Sequence, residues 1–293
     1  MRKIESSELI INGDGSVFHL HLRPGQIADT IILVGDPGRV ELVSSMFDKV
    51  EHRAENREFV SATGSYKGKP MTVISTGIGT DNIDIVVTEL DALANVNFET
   101  REEKSDKKQL TLLRLGTSGA LQPDIELGSF LFSRTSVGFD GLLNFYKGRN
   151  EVCDPEIEKA FMKHVGWSDL LPKPYFIDAD AQLGALFADT TIAGITVSAP
   201  GFYAPQGRWV RISPADPALN DKIESFQYNG RRITNFEMES SALAGLARLM
   251  GHRAGTICTI IAQRVAKESN TDYKPYVVRM IEMALDKLAG FEK

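Results

Sequence analysis

Thr30-Ile-Ile-Leu-Val-Gly-Asp-Pro-Gly-Arg39 decides the fold. Its first half is an unbroken apolar run rich in β-branched residues. Such a run reads as a strand covered on both faces. Asp36 then caps a helix, with Pro37 at its first position, where the missing N–H costs nothing. Val40, Leu42, Val43 and Met46 give that helix an apolar side. A doubly covered strand running straight into a helix is half of the repeating unit of an α/β sheet.

The same unit recurs along the chain. Residues 71–76 (Met-Thr-Val-Ile-Ser-Thr) form a strand that ends in Gly77-Ile-Gly79. Ile83, Val86, Val87, Leu90 and Leu93 follow at helical spacing. Residues 110–115 form another strand, running into Gly116-Thr-Ser-Gly119. Further strands are expected over 128–137, 190–198 and 254–262, and helices over 155–165, 217–226, 238–250 and 275–288. The last helix carries Val277, Ile281, Ala284, Leu285 and Leu288 on one side. The pattern predicts one α/β domain over 1–293, a central mixed β-sheet flanked by helices. Residues 1–16 read as an N-terminal extension. Residues 99–109, highly charged, read as a solvated surface loop.

Composition narrows the function. The chain has 293 residues, 42% hydrophobic and 25% charged, enough to bury a core without covalent staples. Its two cysteines, Cys153 and Cys258, exclude a disulfide scaffold and a multi-cysteine metal site. A net charge of −6 advertises no nucleic-acid face. The first residues lack the apolar core of a signal peptide, and no stretch reaches membrane-spanning length. A cytoplasmic setting, with no membrane or nucleic-acid partner, is the expectation. No G-x-G-x-x-G follows the first strand and no P-loop is present, which disfavours dinucleotide and nucleoside triphosphate sites.

In open α/β sheets, ligands gather at the carboxyl ends of strands. Three strand ends here combine glycine with small polar residues: Gly35-Asp-Pro-Gly-Arg39, Ser75-Thr-Gly-Ile-Gly79 and Arg114-Leu-Gly-Thr-Ser-Gly119. Each alone is also an ordinary glycine-bearing turn. Arginine at two of them suits an oxyanion such as phosphate, since guanidinium and helix-start N–H groups both favour negative charge. Arg114 lies late in a buried strand, where its charge is costly without an anion or carboxylate partner. Glu237-Met-Glu-Ser240 sets two carboxylates at a strand-to-helix junction, where they either favour the helix start or accept bonds from vicinal sugar hydroxyls. Phe202-Tyr-Ala-Pro-Gln-Gly-Arg-Trp209 is either a turn anchored by aromatics or a face for a flat ring with two carbonyls, read by Gln206 and Arg208. His19 and His21 alternate and face opposite sides if that segment is extended, which argues against a metal pair. The cysteines have no recognisable partners and read as ordinary residues, Cys258 in a buried strand.

Taken in order, these motifs resemble the nucleoside phosphorylase family of the trimeric/hexameric type, and within it the uridine-cleaving branch. The match runs from Val17 to about 288. It rests on Val17-Phe-His-Leu-His-Leu22, Val34-Gly-Asp-Pro-Gly-Arg-Val40, Arg57-Glu-Phe59, Ser75-Thr-Gly-Ile-Gly79, Leu113-Arg-Leu-Gly-Thr-Ser-Gly-Ala120, Phe202-Tyr-Ala-Pro-Gln-Gly-Arg208 and Glu237-Met-Glu-Ser240.

The resemblance implies a pentosyltransferase that converts uridine and phosphate reversibly to uracil and ribose 1-phosphate. It implies phosphate held by Gly35, Arg39, Arg114 and Thr117, with Arg57 reaching in from a neighbouring copy. Ribose would meet Glu237, Met238 and Glu239, with His19 from the neighbour. The base would meet Phe202, Gln206, Arg208 and Ser118, with Arg264 bracing the base-reading arginine. It implies no cofactor beyond phosphate as co-substrate, self-association as a dimer with shared sites and commonly a hexamer, and in some members a monovalent cation such as K+ at the dimer contact, matched here by Glu58 and Ser75. The sequence departs from the family at residues 99–109, at 169–182, and before Gln206. A purine nucleoside phosphorylase of the same fold remains the alternative. That enzyme would want a Ser-Asp pair after the penultimate strand, where this chain has Gln263-Arg264. A hydrolase would not need the three arginines, and a non-catalytic nucleoside-binding homologue is the reading from another class.

Overall fold

The computed structural model describes residues 2–263, 268–269 and 272–291. Its first unit is β1 (Thr30–Val34) and α1 (Gly38–Ser44), followed by β2 (Lys49–Asn56), β3 (Phe59–Tyr66), β4 (Lys69–Ser75) and α2 (Thr80–Asn95). Two short strands, β5 (Val96–Asn97) and β6 (Glu102–Glu103), precede β7 (Thr111–Ala120) and β8 (Phe130–Gly138). Then come α3 (Arg149–Val152), α4 (Pro155–Val165), β9 (Tyr175–Asp178), α5 (Ala181–Leu186), β10 (Ile192–Ser198) and α6 (Leu219–Glu224). The chain ends with β11 (Gln227–Tyr228), β12 (Arg231–Glu237), α7 (Ser240–Leu249), β13 (Arg253–Gln263), β14 (Glu268–Ser269) and α8 (Lys274–Ala289).

Twelve of these strands form one mixed sheet, in the main order β11-β12-β10-β8-β13-β7-β1-β4-β3-β2. β1 is central and parallel to both neighbours, β4 and β7. Its side chains alternate between two cores, as the twofold period of a strand demands. Ile31 and Leu33 join Ile83, Leu90, Leu243 and Leu246 on the side of α2 and α7. Ile32 and Val34 join Val40, Val43, Ile281 and Leu285 on the side of α1 and α8. A third, aromatic core of Phe139, Phe161, Phe176 and Phe226 packs around α4. The mixed sheet covered by helices is the architecture expected from the alternating pattern.

The sheet also curls on itself. The end of β12 pairs antiparallel with the end of β7, Asn235 opposite Ala120 and Phe236 opposite Gly119. This closure brings Glu237-Met-Glu239 beside Arg114 and the residues after it.

Several expectations need correction. Gly116-Thr-Ser-Gly119 is not a turn but the second half of β7. A Cβ on Gly116 would lie 2.1 Å from Arg114 Nη1, so this glycine clears space for the guanidinium folding back along its own strand. The helix after β1 starts at Gly38, one residue later than expected, and Asp36 Oδ1 accepts its N–H at 2.9 Å. His19 and His21 lie in a turn rather than a strand, with His21 at φ 50°. The segment 99–109 is not wholly a solvated loop. Residues 105–109 are exposed, but Glu102–Glu103 pair with Val96–Asn97. Arg101 donates to the carbonyls of Ile4 and Glu5 at 2.9 and 3.1 Å and also bonds that of Leu9. The N-terminal extension is thereby clasped against that segment, with Leu9 in the core.

Candidate active site

A cavity of about 1230 Å³ opens at the carboxyl ends of β1, β4, β7, β12 and β13. Gly35, Arg39, Arg114, Thr117 and Ser118 line one part of it. Glu237, Met238 and Glu239 line it from the β12–α7 junction, and Phe202, Gln206 and Arg208 from the segment after β10. Eleven positions singled out in the sequence therefore share one concave site. His19, Arg57, Glu58 and Ser75 do not line it. Arg264 lies outside the described residues.

Arg114 is the charged centre. It is 5% exposed and bonds Glu239 directly through Nη2, while Nη1 stands 3.4 Å from Glu237 Oε2. Burial opposes its charge, but the two carboxylates outweigh that and hold its pKa above the ordinary arginine value. Its Nε is buried with no hydrogen-bond partner among the described residues. The carboxylate partner that its position in the strand called for is thus present twice.

Glu237 and Glu239 are held differently. Glu237 accepts from Ser198 Oγ at 2.6 Å, Ser240 Oγ at 2.7 Å and the main-chain N–H groups of Glu239 and Ser240. That is a saturated carboxylate at a helix start, as the structural reading of the pair had it. Glu239 has fewer partners: the Arg114 guanidinium and the N–H of Gly79 at 2.8 Å. Burial raises its carboxyl above the usual range against the pull of Arg114. Glu239 thus retains acceptor capacity toward the cavity.

Arg39 enters from α1, half-buried, and donates to the Leu115 carbonyl at 3.2 Å. Burial and the like charge of Arg114 hold its pKa below the ordinary arginine value. Two guanidinium groups that repel each other beside the Gly35 turn make a place where an oxyanion gains from both. A Cβ on Gly35 would stand 3.4 Å from the Gly77 carbonyl and 3.9 Å from Arg114 Nη2, in ordinary contact with both.

At the other part of the cavity, Arg208 Nη1 donates to Gln206 Oε1 and to the Phe202 carbonyl, both at 2.6 Å. Its guanidinium carbon sits 3.6 Å from the centre of the Phe202 ring. One face of Phe202 is therefore already covered by arginine, and the ring is about half exposed. Gln206 is buried, and Asn220 Nδ2 donates to its main-chain carbonyl at 3.0 Å. Ser118 Oγ accepts from Asn235 Nδ2 at 2.9 Å.

The remaining predicted residues form a second group. His19 stacks edgewise on Phe18 at 4.9 Å, and Arg57 lies 5.8 Å from the Phe18 ring centre. Arg57 opens the turn between β2 and β3 with φ 56° and is exposed. The cation pair, Glu58 and Ser75, is in direct contact. Ser75 Oγ is buried, donates to the Glu58 carbonyl at 2.5 Å and accepts from Val60 N–H at 2.8 Å. One Ser75 lone pair stays open, and the Glu58 carboxylate, which accepts from Asn82 at 3.1 Å, keeps acceptor capacity as well.

Sequence reading missed Asn220 and Gln263, which line the cavity, and Asn235 behind Ser118. It named Gly79 only for its small size, not for the N–H it gives Glu239. Asn220 sits in a polar stretch with no signal of its own.

The comparisons now bear on this geometry. A family model described as the phosphorylase superfamily matches residues 29–289. The chain belongs to the phosphorylase superfamily. A uridine phosphorylase of Thermococcus kodakarensis is 32% identical over 274 residues, covering 92% of this chain and 85% of that protein. A uridine phosphorylase of Klebsiella aerogenes is 32% identical over 255 residues, covering 86% and 88%. Among solved structures, a Trypanosoma brucei nucleoside phosphorylase described as showing uridine phosphorylase activity superposes with a TM-score of 0.88 at 30% identity, covering 97% of this chain and all of that one. Of the residues this chain's motifs singled out, eleven line the cavity, His19, Arg57, Glu58 and Ser75 do not, and Arg264 lies outside the described residues.

Proposed function

We propose that the chain catalyses the reversible phosphorolysis of uridine to uracil and ribose 1-phosphate. One observation carries this reading. A single cavity holds paired arginines, Arg39 and Arg114, beside a glycine turn, and also the Gln206–Arg208 pair, with Glu239 held by Arg114 and Gly79. The names of the relatives point the same way.

The chemistry follows from the charges. Breaking the N-glycosidic bond leaves positive charge on the ribose and negative charge on the base. Phosphate, held by Gly35, Arg39, Arg114 and Thr117, supplies a close anion to meet the sugar. Its own charge relieves the repulsion between the two arginines. Glu239, with Met238 against the sugar and Glu237 behind it, grips the ribose hydroxyls. Arg208 and Gln206, with Phe202 and Ser118 alongside, take up the charge on uracil as it leaves. Rate then comes from position and electrostatics, without a covalent intermediate or a cofactor.

His19 and Arg57 stand together on a patch outside the cavity. We read them as groups that this chain lends to the site of a second copy, His19 to its ribose and Arg57 to its phosphate. The protein would then be a dimer with shared sites, or a hexamer built from such dimers. No helix among the described residues is long and apolar enough to cross a membrane, and a cytoplasmic place in nucleoside salvage is part of the reading.

The test is uridine loss followed by ultraviolet absorbance with and without phosphate, with inosine in parallel. Phosphate-dependent uridine cleavage with inert inosine is expected. Inosine cleavage moves the chain to the purine branch, phosphate-independent cleavage makes it a hydrolase, and no turnover makes it a binding protein.

A further inference from the structure

Glu89 lies in the third turn of α2, on the side away from the cavity, and is buried. A buried carboxylate needs partners, and those of Glu89 among the described residues belong to one turn. The His19 N–H lies 3.1 Å from both carboxylate oxygens, and the Leu20 N–H donates to Oε2 at 2.9 Å. The His19 ring meets Oε1 through Nδ1 at 2.6 Å. On the far side, Asn56 Nδ2 donates to the His19 carbonyl at 2.9 Å. The ring centres of Phe18 and Phe59 lie 4.9 and 6.3 Å from that of His19, both in edge-to-face geometry. The main chain and one ring nitrogen of His19 are thus fixed, while Nε2 has no bond among the described residues and the side chain is 27% exposed.

We propose that Glu89 is a positioning residue: it holds His19 as the Nδ1–H tautomer and so presents Nε2 as a hydrogen-bond acceptor to a sugar hydroxyl bound by a second copy of the chain. The inference rests on the reading above that His19 serves the neighbour's ribose, and extends it to the residue behind His19 and to the direction of the bond. A carboxylate offers no proton, so the shared hydrogen belongs to Nδ1. The other ring nitrogen of a neutral imidazole is then a bare acceptor. An acceptor selects a group that donates, which a sugar hydroxyl does and an ether or phosphate oxygen does not. The same α2 begins at Gly79, whose N–H holds Glu239 in this chain's own cavity. The ten-residue step from Gly79 to Glu89 spans about 15 Å, so one rigid helix sets a ribose contact at each of two sites.

The test is a kinetic cycle on the whole protein: wild type, Glu89→Gln, His19→Ala and the double variant, each with uridine and with its 2′-, 3′- and 5′-deoxy analogues. Loss of one hydrogen bond to a hydroxyl is expected to lower kcat/KM for uridine about five- to twentyfold in each single variant. The double variant should be no worse than His19→Ala. The loss should vanish for the one analogue that lacks the partner hydroxyl. Equal losses on every substrate, or a further loss in the double variant, would mean that Glu89 only holds the fold and would overturn the inference alone. Unchanged uridine kinetics in His19→Ala would overturn the reading of His19 and the inference with it. Should Glu89→Gln not fold, the histidine ¹⁵N spectrum of the wild-type protein decides, with the His19 signals identified by their absence in His19→Asn. A neutral ring protonated at Nδ1 alone is expected, and a proton on Nε2, in a neutral ring or an imidazolium, overturns the proposal.

Discussion

The main-chain N–H of Gly79 donates to Glu239 Oε1 at 2.8 Å, joining the start of α2 to the junction of β12 and α7. The two residues are 160 positions apart in the chain. Gly79 has φ 102°, a conformation that side chains rarely adopt, and a Cβ there would stand 2.6 Å from Asp81 Oδ1. Gly79→Ala is therefore expected to strain the turn by about 1–3 kcal/mol and to move the N–H off Glu239. The expected result is a loss of tenfold or more in kcat/KM with a lowered Tm. Steady-state kinetics and a thermal melt check it, and wild-type kinetics in this variant would detach Glu239 from the reaction.

Arg39 and Arg114 are expected to separate phosphate binding from stability. Arg39 is half-buried and donates to the Leu115 carbonyl. Arg39→Ala should raise the KM for phosphate more than tenfold with a small change in Tm. Arg114 is buried against Glu237 and Glu239. Removing it strands two carboxylates, a change that costs about 3–5 kcal/mol for a buried pair. Arg114→Ala should therefore lose both turnover and stability. A variant that melts like the wild type would mean that the carboxylates are not compensated by Arg114 in solution.

These two arginines also show how far the sequence reaches. β1, α2 and α8 are legible because burial on both faces or on one stripe writes itself into residue type: Ile31 to Val34 are all fully buried, as are Ile83, Val86, Leu90 and Leu285. Arg114 announces its need for a partner because a charge in a buried strand is costly. The partners' identity is not legible, since it depends on β12 curling round to pair with β7. The β2–β3 hairpin gives no local signal either: residues 49–51 are exposed and half of β2 is charged, as suits a sheet edge. Gly116 misleads because glycine after a strand usually marks a turn, whereas here it makes room for a guanidinium. His19 and Arg57 are legible only by resemblance, for nothing in their own neighbourhood completes a site.

Arg208→Ala should damage uridine cleavage while leaving phosphate binding alone. The guanidinium bonds Gln206 and covers a face of Phe202. Its removal takes away the donor for the leaving uracil and frees the ring and the amide to reorient. A fall of about a hundredfold in kcat/KM for uridine is expected, in line with loss of one donor to a developing anion. Phosphate-dependent protection against thermal unfolding should be unchanged. Equal losses in both measurements would contradict a role at the base.

Both cysteines should be silent toward alkylation in the folded protein. Burial pushes the Cys153 and Cys258 thiols up to about 12, so almost none of either is thiolate at neutral pH. Cys258 lies under the Arg114 guanidinium, 3.9 Å from Nη1, yet burial outweighs that positive charge. Mass spectrometry after iodoacetamide at neutral pH should find neither residue labelled, and both labelled in denaturant. Labelling of Cys258 in the native state would mean that the cavity floor opens.

The proposed shared sites predict a behaviour that a monomeric enzyme cannot imitate. Glu239 lines the cavity of its own chain, while Arg57 is exposed on the β2–β3 turn and does not line it. If Arg57 serves the neighbour, Arg57→Ala and Glu239→Ala each cripple every site in their own homo-oligomer. In a mixed oligomer, one site joins the intact Glu239 of the first variant to the intact Arg57 of the second, and the opposite site collects both defects. Co-expression, or mixing after reversible dissociation, should therefore restore activity well above the sum of the separate variants. The restored activity should appear in the oligomer peak on size-exclusion chromatography. Simple additivity would place Arg57 in the chemistry of its own chain or outside it altogether, because only a contact made across the interface is rebuilt by mixing.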